Sequence, residues 1–60
     1  MKFTVKVNNL PNHYEKYTYF VCREFDGELW FYGAWYATQE TEATQQAREV
    51  GGIVVKGEVL

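Results

Sequence analysis

Sixty residues make a single domain, 1–60, near the lower limit for folding without a metal or disulfide framework. A chain this short buries only about 60% of the surface its unfolded form exposes. The one cysteine, Cys22, excludes an intrachain disulfide, Cys22 with the one histidine, His13, cannot close a four-ligand structural zinc site, and a net charge of −2 names no partner.

Residues 2–7, Lys-Phe-Thr-Val-Lys-Val, alternate polar and apolar and predict a half-buried strand with Phe3, Val5 and Val7 inward. No basic stretch followed by an apolar run is visible, and no segment approaches the roughly 20 apolar residues of a membrane span. A cytoplasmic location with no membrane partner is therefore expected, and it suits an unpaired thiol. Asn8 to His13 reads as a loop, because Asn tolerates turn conformations and Pro11 lacks the amide a sheet needs.

Tyr17 to Phe25 and Glu28 to Tyr36 are dominated by aromatic and β-branched residues, as strands prefer. Asp26-Gly27 between them suits the positive φ angles of a type I′ turn, so a β-hairpin is predicted. Thr38 offers an N-cap oxygen for a helix over Gln39 to Val50, with Glu40 and Glu42 in its first turns and Arg48 in its last. Gly51 or Gly52 supplies the C-terminal cap, and Ile53 to Lys56 reads as a last short strand. The order β-β-β-α-β predicts the α+β class: a small two-layer domain, mainly antiparallel, with one helix packed on one face of the sheet.

A two-residue turn sets the hairpin register. Arg23 then faces Trp30, Val21 faces Tyr32, Tyr19 faces Ala34 and Tyr17 faces Tyr36, all on one side. Cys22 with Phe31, Phe20 with Gly33 and Thr18 with Trp35 fall on the other. The Phe/Cys side is the expected core beneath the helix, whose small stripe of Ala43, Ala47 and Val50 would admit large rings. That leaves Tyr17, Tyr19, Arg23, Trp30, Tyr32 and Tyr36 as a candidate binding surface, since Tyr, Trp and Arg are enriched at interface hot spots.

Catalytic chemistry is not suggested. The chain has no Ser, and Cys22 is expected as an inert buried thiol. Glu24, Asp26 and Glu28 sit at an exposed hairpin tip without a cleft to separate their pKa values. Gly51-Gly52 follows a helix, whereas a phosphate loop precedes one. No enzyme, metal or cofactor is expected.

Two functions compete. One is a non-catalytic protein-interaction module that self-associates as a homodimer and takes a further protein partner. The other is single-stranded nucleic-acid binding, with bases stacked on the aromatic face; the acidic balance of residues 24–60, −5 in sum, argues against it. From Asp26-Gly27-Glu28-Leu29-Trp30-Phe31-Tyr32-Gly33-Ala34 through the Ala/Glu/Gln helix to Gly51-Gly52, the chain resembles small uncharacterised proteins of bacterial phages and prophages. That resemblance implies an accessory or host-inhibiting role and assigns no site residues.

Overall fold

In the computed structural model, which describes residues 4–59, the hairpin turn is where its glycine requires it. Asp26 has φ 55° and Gly27 φ 80°, the left-handed pair that lets strands keep their native twist. The first four pairings follow the predicted register, from Phe25 with Glu28 to Cys22 with Phe31. A β-bulge then intervenes: Val21 pairs with Gly33, Phe20 with Ala34 and Tyr19 with Trp35, so Tyr32 is an extra residue. Beyond the bulge the expected pairs are therefore shifted by one residue, and Thr18 precedes the strand.

We number the strands in chain order: β1 Thr4–Val5, β2 Val7–Asn8, β3 Tyr19–Phe25, β4 Glu28–Trp35, β5 Ile53–Lys56 and β6 Glu58–Val59. Among the described residues the one α-helix, α1, is Glu40–Val50, and a 3-10 turn covers Tyr14–Lys16. The chain is a small α+β fold whose four-stranded mixed sheet has the order β2-β4-β3-β5, with β2 parallel to β4 and the other two pairings antiparallel. The alternating stretch near the start is not one strand. It breaks at Lys6, so that β1 pairs with β6 in a separate parallel ribbon while β2 joins the sheet. The expected inward placement of Phe3 and Val5 lies outside what is described.

Gln39, not Thr38, holds the N-cap position of α1. Its side chain makes no cap bond; its Oε1 instead accepts the Tyr36 amide at 3.0 Å, tightening the turn out of β4. Gly51, at φ 68°, ends the helix in the left-handed conformation that glycine adopts without penalty.

The core has two layers, one on each face of β3, and here the expected packing is reversed. Ala43 and Ala47 of α1 lie against Tyr19 and Val21, with Trp35, Val50 and Val54 around them. Phe20 and Cys22, expected beneath the helix, face away from it. They pack with Val7, Leu10, Tyr14 and Tyr17 from the N-terminal segment and with Leu29, Phe31, Ala34 and Val55 of the sheet. Connection geometry explains the choice. Strands β4 and β5 run in the same direction on either side of β3, so α1 is a crossover between parallel strands. Such crossovers are right-handed in nearly all proteins, so topology and not ring count selects the side. With both faces covered, Phe20 at 1% exposure and Val21 and Cys22 at 0% form the centre, each apolar side chain contributing about 1.5–3 kcal/mol.

Candidate functional site

The six predicted surface residues do not share one face. Tyr19 is buried under α1, with the Lys56 Nζ 5.8 Å from its ring centroid. Tyr17 belongs to the opposite layer, where its ring lies 4.9 Å from that of Tyr36 at an interplanar angle of 31°. Tyr36 is half-exposed just past the end of β4. Arg23 and Trp30 remain paired across the hairpin as expected, Arg23 exposed and Trp30 partly buried. Among the described residues, the buried indole Nε1 of Trp30 has no hydrogen-bond partner.

Tyr32 occupies the bulge and stays exposed. The bulge is held from the helix side by Gln46, whose Oε1 accepts the Trp35 Nε1 at 2.8 Å and whose Nε2 donates to the Tyr32 carbonyl at 3.5 Å. This clamp needs Gly33. A Cβ there would collide with the Gln46 amide, so the glycine makes room for a polar side chain, not for the ring of Phe20.

Two exposed residues were not predicted: Ile53, 51% exposed, and Phe25, 70% exposed beside the turn. The signal for Phe25 was positional. β5 begins opposite Cys22, so Arg23 to Trp30 project past it, and only β2 accompanies them, at Leu29 and Trp30. Phe25 and Arg23 lie two residues apart and share the helix-side face, past the level at which α1 ends. Trp30 sits across from Arg23 on that same face.

The site offers contact chemistry. Burial raises the Cys22 thiol above its usual value of 9.0, which keeps it protonated and unreactive at neutral pH. Among the described residues no cluster of three or more His, Cys, Asp or Glu is placed to hold a metal. No helix among them is long and apolar enough to cross a membrane. Compared with known proteins, the chain matches no protein family, no curated protein and no solved structure.

Proposed function

We propose that this chain is a small non-catalytic protein-interaction module whose contact surface is the projecting end of the β3–β4 hairpin. The observation that carries this reading is the exposure of Phe25 next to the Arg23–Trp30 pair, with Tyr32 further along the same strand. A Phe left in water forgoes about 1.5–3 kcal/mol that a partner surface would recover. Glu24, Asp26 and Glu28, all exposed, give this apolar centre the polar rim that interfaces carry. A cytoplasmic protein partner with an apolar recess edged by basic groups fits it best. The resemblance to phage and prophage proteins favours a bacterial partner and an accessory or inhibitory role.

Single-stranded nucleic acid fits less well. Tyr19 lies beneath the helix and Tyr17 on the far side, so no run of stacking rings is left, and the acids at the tip repel phosphate. The test compares wild type with a Phe25→Ala/Tyr32→Ala double variant in affinity capture from bacterial lysate. Both residues are exposed, so the variant should keep its fold to within about 0.5 kcal/mol per site. The reading expects a protein retained by wild type and lost from the variant; identical captured sets would refute it. The same module reading includes self-association of the chain.

A further inference from the structure

We infer that two copies of this chain associate through the outer edge of β5, antiparallel and with Val54 of one copy across from Val54 of the other. The inference rests on the self-association part of the module reading and uses a surface separate from the hairpin end. Among the described residues, nothing pairs with that outer edge. The Gly57 amide donates to the Thr18 carbonyl at 3.4 Å. In an antiparallel ladder hydrogen-bonded pairs alternate, so Ile53 and Val55 direct their amides and carbonyls toward β3. Val54 and Lys56 therefore direct theirs outward. An edge of this kind is a template for another strand, and although β5 is short and ends on Lys56, Ile53-Val54-Val55 carries no Pro, bulge or charge.

The occupant is specified by what the pairing matches. With Val54 on the two-fold axis, Ile53 lies across from the second copy's Val55 on the face away from the helices. That covers a side chain now 51% exposed. On the helix side, Lys56 lies across from the second copy's Gly52, beside the C-terminal end of its α1. The last turn there carries Arg48 and Glu49, whose charges offset, leaving the helix's terminal carbonyls to attract the ammonium. The two Lys56 side chains end at opposite ends of the pair. A register centred on Val55 would instead set Lys56 against Val54 and Ile53 against Gly57, losing both matches. A four-residue strand pair buries less than a standard interface of about 1,600 Å², so the dimer is weak and concentration-dependent.

Sedimentation equilibrium from low micromolar to near-millimolar wild-type protein should reveal a monomer–dimer equilibrium. Isotope-filtered NOEs in mixed-label samples should connect Ile53 with the second copy's Val55. Ile53→Lys should weaken association by roughly tenfold or more. Val54→Pro, which removes an outward amide and trims the packing of Val54 on the helix-side core, should do the same, with helix content checked by circular dichroism. The hairpin double variant Phe25→Ala/Tyr32→Ala should dimerise like wild type. A monomer at near-millimolar concentration, NOEs of another register, or a dimer insensitive to Ile53→Lys would overturn the proposal. So would loss of the dimer in the hairpin variant, which would move self-association to the hairpin end. Should a β5 variant unfold, the NOEs on wild type decide alone.

Discussion

The two tryptophans separate what a side chain's chemistry requires from what its surroundings supply. Trp35 has its indole N–H satisfied by Gln46, whereas the buried N–H of Trp30 finds no acceptor among the described residues. Removing a satisfied donor leaves the Gln46 oxygen unpaired and loses the bond, an effect of about 1–3 kcal/mol. Removing an unsatisfied one relieves a desolvation penalty that offsets part of the lost packing. Trp35→Phe should therefore destabilise the protein more than Trp30→Phe, as read from urea unfolding midpoints at equal slope. Equal losses would contradict the hydrogen-bond assignment. The polar tips of the aromatics were legible in the sequence but their placement was not, since Tyr19, read as surface, is buried beneath α1. Nor were their partners: nothing in the spacing of Trp35 and Gln46 announces a bond across eleven residues and two elements.

At the scale of elements, the turn was legible and the register only as far as the bulge. Asp26-Gly27 encodes its conformation locally, through positive φ at two successive residues. The bulge is encoded by tertiary contact. The amide of Gln46 descends onto Gly33, and the extra residue, Tyr32, is accommodated beside that clamp. A glycine inside a strand goes with a bulge or a close approach, and both occur at Gly33, where the approaching group comes from the helix. Gly33→Ala should destabilise by about 1–3 kcal/mol, because the Gln46 amide must swing aside and give up its bonds to Trp35 and Tyr32. Adding Gln46→Ala should then cost less than it does in the wild type, a coupling readable from a double-mutant cycle by chemical unfolding. Strict additivity would remove the clamp from the account. The helix itself was legible to within a residue at its start, and it ends where Gly51 ends it.

For the whole molecule, the decisive fact is that β3 is covered on both sides. The run Tyr19-Phe20-Val21-Cys22 is apolar without alternation, a pattern typical of strands buried on both faces. Reading that run as half-wet left one face free for function, whereas α1 occupies it and the loop from Leu10 to Tyr17 occupies the other. Which layer takes which face follows from strand order and crossover direction, and these are properties of the assembled sheet. Of the candidate contact residues, Arg23 and Trp30 lie where the hairpin outruns its covers, while Tyr32 stays exposed at the bulge and Tyr36 past the end of β4. Hydrogen exchange should reflect the same division. Amides of Phe20 to Cys22 should exchange only through global unfolding, while those from Glu24 to Glu28 should exchange by local opening and far faster. Uniform protection along the hairpin would mean that its end is covered after all.

The central position of β3 also bears on how the chain is made. Synthesis delivers β3 and β4 before the helix, and they can close their local turn at once. The helix that shields Val21 and the strand that flanks β3 arrive only with residues 40–56. Between those moments the nascent hairpin carries its Tyr19–Val21 side bare, since only the Phe20–Cys22 side has its cover already made. Stopping translation after Trp35 should thus yield a chain that seeks chaperones, while a stop after Lys56 should release one that no longer needs them.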